Sequence, residues 1–176
     1  PLFILRLAGP CRRVRLTSNV RPHKPAGWAI HLSQGRRAPP TKEKRVSVDH
    51  REAKSIAEAY TAAWNTGSPE AVAEFYSPDG QIVINRGTPW IGRKGVAEMA
   101  AGFFADVPDL ALVCDEVRAA GTHVAYFWTF TGTHASTKNP LRIVGWEEWD
   151  LDENLKVVAS KGWYDATEYA RQTTPR

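Results

Sequence analysis

Between Leu110 and Asp165 the chain offers four strand-length blocks, with nothing between them long enough to be a helix. The blocks are Leu110–Ala119, Thr122–His134, Leu141–Leu151 and Leu155–Asp165. The second is crowded with aromatics: Tyr126, Phe127, Trp128 and Phe130. The gaps Ala120-Gly121, Ala135–Pro140 and Asp152–Asn154 are short or turn-like, which suits an antiparallel meander.

Helical signals dominate the stretch before this meander. Asp49 followed by Glu52 reads as a capping box. Ala53, Ile56, Ala57, Tyr60 and Trp64 then recur at helical spacing until Asn65-Thr66-Gly67. Ser68-Pro69-Glu70 opens a second helix through Val72, Phe75 and Tyr76, which stops at Ser77-Pro78-Asp79-Gly80. Gln81–Asn85 reads as a short strand. A third helix runs from about Arg93 to Ala105, with Val96, Met99, Ala100, Phe103 and Phe104 on its apolar side. Asp165–Gln172 makes a last helical turn or two. Helices segregated to one side of an antiparallel sheet give an α+β layer, and a long curved sheet wrapping a helix leaves a cavity, the expected functional site.

Charge divides the chain. Residues 1–45 carry eleven Lys or Arg against one acid, Glu43, whereas residues 46–176 carry twelve basic and eighteen acidic residues. The folded part is therefore acidic, which argues against a nucleic-acid partner. Residues 1–45, with six prolines and no sustained periodicity, read as a basic extension outside the domain at 46–172. That extension is a disordered arm, a region translated from a wrong start, or a cleaved targeting segment, and it is expected to be dispensable for folding. No apolar run reaches the roughly 18–20 residues that span a bilayer. Cys11 and Cys114 are poorly placed to pair, so both read as free thiols of a reducing, cytoplasmic setting.

Three stretches carry a family resemblance. Ala57–Ser68, containing Trp64-Asn65-Thr66-Gly67, is followed by Phe75–Gly80; Ile91-Gly92-Arg93-Lys94-Gly95-Val96 comes next; then Thr131-Gly132-Thr133-His134, Asp152–Val157 and Trp163-Tyr164-Asp165. Together they resemble the SnoaL-like and ketosteroid-isomerase-like members of the nuclear transport factor two-like superfamily. The resemblance implies a cone-shaped curved antiparallel sheet wrapped around a long N-terminal helix with two further helices, enclosing a pocket. It does not fix an activity, since one fold hosts many.

Residue by residue, the resemblance puts Tyr60 at the isomerase's oxyanion-hole tyrosine and Glu147 at its second, protonated donor. The isomerase base falls near Ile84 or Asn85, neither of which abstracts a proton. The cyclase aspartate's place is taken by Gly162. Strand parity adds that if Glu147 faces the cavity, so do Ile143, Gly145 and Trp149, and on the last strand Ser160, Gly162 and Tyr164. Glu147 with Tyr60 and Tyr164 is then the polar cluster. The competing reading sets Glu147 and Glu148 on a solvated or dimer-facing strand, paired with Arg142 or Lys161.

Trp64, Phe103, Trp128 and Trp149 are candidate pocket aromatics, Asn85 a candidate ligand contact, and His134 either a contact at the pocket mouth or a strand-end histidine bonding its loop. No metal-ligand spacing and no glycine-rich phosphate loop occurs in the ordered part, so no cofactor or metal is expected. Two functions follow. One is cofactor-free acid/base chemistry on a small apolar molecule; the other is a non-catalytic binding or dimerisation module. A homodimer through the exposed sheet face is expected in either case.

Overall fold

The computed structural model describes residues 47–175, so the reading of residues 1–45 and Cys11 lies outside it. Four helices and six strands follow in chain order: α1 His50–Asn65, α2 Pro69–Ala73, β1 Tyr76–Ile84, β2 Trp90–Ile91, α3 Gly92–Asp106, β3 Ala111–Ala120, β4 His123–Thr133, β5 Pro140–Leu151, β6 Val157–Tyr164 and α4 Ala166–Thr173. The strands form one curved, open sheet in the order β2-β1-β6-β5-β4-β3. No described helix is long and apolar enough to cross a membrane.

Local chemistry fixes the helix ends. Asp49 Oδ1 accepts from Glu52 N at 2.8 Å and Glu52 Oε2 accepts from Asp49 N at 3.0 Å, the reciprocal capping box. At the far end of α1, Asn65 clasps the backbone of Leu112. Its Nδ2 donates to Leu112 O at 2.9 Å and its Oδ1 accepts from Leu112 N at 2.6 Å. The side chain thus behaves as a strand partner and pins α1 to the outermost long strand. Gly67, at φ +72°, then turns the chain away in the left-handed region that glycine enters freely.

From β3 to β6 the meander is antiparallel throughout, with Glu147 opposite Tyr126 on one side and Gly162 on the other. One pairing departs from that pattern: β1 runs parallel to β6, Ile82 opposite Ser160 and Ile84 opposite Gly162. Parallel pairing is possible because α3 and the whole meander separate β1 from β6 in sequence.

The second helix is shorter than its periodicity suggests. It ends at Ala73, and Tyr76 begins β1 opposite Val157, with an irregular register before Gln81. Ser77-Pro78-Asp79-Gly80 is therefore a kink within a strand rather than a turn between elements. Backbone packing demands the glycine there, since a Cβ on Gly80 would collide with the carbonyl oxygen of Val157.

Tyr60, projecting from α1, is the hub of the core. It is fully buried and meets Trp149 of β5 edge-on at 5.1 Å and Tyr126 of β4 at 5.8 Å. Tyr126 and Trp149 stack at 4.9 Å. Such pairs add directional energy to area burial, about 0.5–1.5 kcal/mol each.

Candidate functional site

Burial alternates strictly along β5: Leu141, Ile143, Gly145, Glu147, Trp149 and Leu151 face inward. That parity puts a carboxylate in the interior. Glu147 is 7% exposed, whereas its neighbour Glu148 faces outward opposite Lys161.

Three donors converge on one oxygen of Glu147. Trp149 Nε1 donates to Oε2 at 2.8 Å, Ser160 Oγ at 3.1 Å and Tyr60 Oη at 3.5 Å. Oε1 accepts nothing among the described residues, and Glu147 lines a cavity. Burial pushes the Glu147 carboxyl above its usual value, while the hydrogen bonds from Trp149, Ser160 and Tyr60, and the nearby Tyr76 hydroxyl, pull it back. Tyr60 and Tyr76 move well above the ordinary tyrosine value through burial first and the charge of Glu147 second. Both therefore stay neutral near pH 7. The Tyr76 hydroxyl is buried with no hydrogen-bond partner in the described residues.

The cavity lies between the sheet, α1 and α3. It holds about 480 Å³ of empty space with its mouth included, of which about 40 Å³ can take the centre of a water-sized sphere. One water needs roughly 10–15 Å³ by that measure, so the space suits a compact organic molecule. Trp64, Phe103, Trp128, Phe130 and Tyr164 supply aromatic wall; Ile82, Ile84, Met99, Leu110 and Leu112 supply aliphatic wall. Gly162 sits below Glu147, where an added Cβ would lie 3.6 Å from Glu147 Cγ. Gly145 has no such room. A Cβ there would stand 2.5 Å from the Trp128 indole and collide with the Trp163 carbonyl. The benzo edge of the Trp128 indole thus packs directly over Gly145, two residues from Glu147.

Of the sequence candidates, Glu147, Trp64, Trp128, Phe103 and Tyr164 meet in this cavity. Tyr60 and Trp149 stand behind Glu147, holding Oε2 without reaching the open space. Asn85 is structural, its Oδ1 accepting from Tyr164 N at 3.1 Å and its N–H donating to the Gly162 carbonyl at 2.9 Å. His134 bonds within its own loop, Nδ1 to Thr137 Oγ1 at 2.8 Å, away from the cavity wall. Strand parity turned Ser160 inward without placing it in the polar cluster with Glu147, where the structure has it. Tyr76 was hidden because Phe75-Tyr76 reads as the end of a helix.

Among the described residues no cluster of His, Cys, Asp or Glu is placed to hold a metal ion. Glu147 is the carboxylate in the cavity wall, and no Lys, Arg or His accompanies it there. The arrangement can move a proton through Oε1, or hold a ligand's proton there.

The fold recurs in solved structures. A ketosteroid isomerase-like protein from Catenulispora acidiphila, in complex with trimethylamine, superposes with a TM-score of 0.63 at 19% identity, over 69% of this chain and 93% of its own. SalBIII, an epoxide hydrolase/cyclase-like enzyme of pyran ring formation in salinomycin, gives 0.61 at 17% identity over 68% of this chain and 95% of its own. AclR from Streptomyces galilaeus, a proposed hydroxylase, gives 0.61 at 21% identity over 70% and 96%. No curated protein matches the sequence. At these identities the likeness establishes the fold. The SnoaL-like domain model matches residues 57–160, more than half of the 176 residues, from the α1 core face to Ser160 beneath Glu147, and the chain belongs to that family.

Proposed function

We propose that this domain binds a compact, mostly apolar organic molecule in the aromatic cavity and exchanges a proton with it through Glu147 Oε1, without a cofactor. The observation that carries the reading is the one-sided solvation of Glu147. Three donors hold Oε2, Oε1 accepts from nothing among the described residues, and the cavity that Glu147 lines is otherwise apolar apart from Tyr164. Donors on one oxygen fix the rotamer and direct the reactive lone pair or proton to the cavity. Tyr60, Trp149 and Ser160 are then positioning residues. SalBIII and AclR, whose names point to ring-forming and oxidative chemistry, are compatible with a small organic substrate here.

A second reading, binding without turnover, draws support from the positions that bear bases in relatives. Ile84 and Gly162 line the cavity and carry no proton-transfer group, and Asn85 is engaged with the backbone of β6. Native mass spectrometry with denaturing extraction identifies what co-purifies. On the identified molecule, Glu147→Gln should lower turnover at least 100-fold, the scale of general acid/base catalysis. Unchanged turnover removes Glu147 from the mechanism, and binding without turnover in the parent protein selects the second reading.

The outer sheet face belongs to the same proposal as a homodimer surface. Phe127, Trp146 and Trp163 sit in register across β4, β5 and β6, with Trp146 and Trp163 stacked at 6.4 Å. Trp146 remains 41% exposed and Val144 57%. Leaving such a contiguous apolar face in water is unfavourable. Light scattering at micromolar concentration should report a dimer, and Trp146→Lys should shift it to monomer with the fold intact. A monomeric parent protein refutes the assignment.

A further inference from the structure

Resting on the reading of this cavity as a binding site, we propose that its ligand is a compact alkylamine bound as the cation, with its N–H donated to Glu147 Oε1 and its alkyl groups against the aromatic wall. Three observations lead there.

Aromatic side chains form a large share of the cavity wall. Trp64, Phe103, Trp128, Phe130 and Tyr164 line it, and ring pairs knit them together: Trp64–Phe103 at 6.0 Å, Trp128–Phe130 at 6.0 Å and Phe103–Tyr164 at 6.3 Å. Aromatic faces attract cations through the ring quadrupole, most strongly where water is excluded.

The second observation is that Glu147 is buried with three donors on one oxygen and no countercharge beside it. Trp149, Ser160 and Tyr60 all donate to Oε2, a set that suits a negatively charged oxygen better than the carbonyl of a neutral acid. No Lys, Arg or His lines the cavity, and no ion pair of the described residues includes Glu147. A buried carboxylate without a partner is strongly disfavoured. A bound ammonium supplies the missing charge and a donor for Oε1 in one group.

Third, the space is small. About 40 Å³ for the centre of a water-sized sphere favours an amine bearing a few methyl or ethyl groups over a polycyclic molecule. Each methyl adds apolar burial against the wall at about 25 cal/mol per Å².

The test compares trimethylammonium with tert-butanol, a neutral molecule of similar shape, by titration into the full chain. Tryptophan fluorescence is the readout, since Trp64 and Trp128 line the cavity. Trimethylammonium should bind about tenfold or more tightly than tert-butanol, and Glu147→Gln should weaken the cation about 10- to 100-fold while leaving tert-butanol within about threefold. Should Glu147→Gln fold poorly, Phe103→Leu removes a ring at similar volume and should weaken the cation selectively. Equal or tighter binding of tert-butanol, or equal losses of both ligands in the variants, overturns the cation assignment and leaves the cavity as a neutral-molecule site. Binding of neither probe overturns both.

Discussion

Trp149→Ala should lower the free energy of unfolding by about 3–5 kcal/mol, the range for removing a large aromatic from a packed core. Trp149 is fully buried. Its loss opens a void between α1 and the sheet, breaks the 4.9 Å stack with Tyr126 and the 5.1 Å edge contact with Tyr60, and strips Glu147 Oε2 of its shortest hydrogen bond. Urea denaturation followed by far-UV circular dichroism measures the effect without relying on the fluorescence of the deleted residue. Trp149→Phe separates the contributions. It keeps a six-membered ring but loses the N–H together with the rest of the pyrrole part of the indole, so it should cost about 1–3 kcal/mol. It should also leave Glu147 harder to ionise, since one of the groups that lowers its pKa is gone. A change below about 1 kcal/mol for the alanine variant would show that the ring is not the keystone its burial implies.

Why the fold is legible in the sequence while the site is only partly so is explained by what the recognisable residues do. Asn65 of the Trp-Asn-Thr-Gly stretch clasps Leu112. Thr133 of the Gly-Thr-His stretch donates twice to Asp109, through its N–H at 2.6 Å and its hydroxyl at 2.8 Å. Asp152 organises the β5–β6 turn, and Asp165 caps α4. Each is a local hydrogen-bonding task at a fixed sequence offset, the kind of constraint that leaves a pattern in a chain. The site is assembled otherwise. Tyr60, Tyr76, Glu147 and Ser160 come from α1, β1, β5 and β6, and no local pattern announces that they converge. Parity alone turned Glu147 and Ser160 inward, because a strand must choose which alternate residues it buries. Parity could not separate Trp128, which lines the cavity, from Trp149, which stands behind the carboxylate. Both point inward, and the distinction rests on the Trp128 indole lying over Gly145.

Substitutions at Glu147 should separate its two roles in stability. Glu147→Ala leaves Trp149 Nε1, Ser160 Oγ and Tyr60 Oη without their shared acceptor, at about 1–3 kcal/mol for each buried donor left unpaired. Water entering from the adjoining cavity offsets part of this, so a net loss of about 2–4 kcal/mol is expected near pH 5, shrinking as pH rises because alanine does not titrate. Glu147→Gln keeps an acceptor for the three donors and should differ little from the parent protein near pH 5. The two then diverge with pH. Burial raises the folded-state pKa of Glu147 above the usual 4.5, so the native state favours the proton more than the unfolded chain does. The associated stability is complete below the unfolded value and is lost as pH rises through the folded one. Glutamine does not titrate, so the stability of Glu147→Gln relative to the parent should climb across that window. Tyr60, Tyr76 and Tyr126, the other titratable groups coupled to Glu147, are all shifted upward and remain protonated there in both proteins, so they cancel in the difference. Chemical denaturation of the pair at pH 5 and pH 9 measures it. A flat difference would mean that Glu147 is as easily ionised folded as unfolded, and that the three donors on Oε2 fully offset its burial. A saturating alkylammonium ligand should flatten the parent's curve in the same way, by supplying the positive charge that the cavity wall lacks.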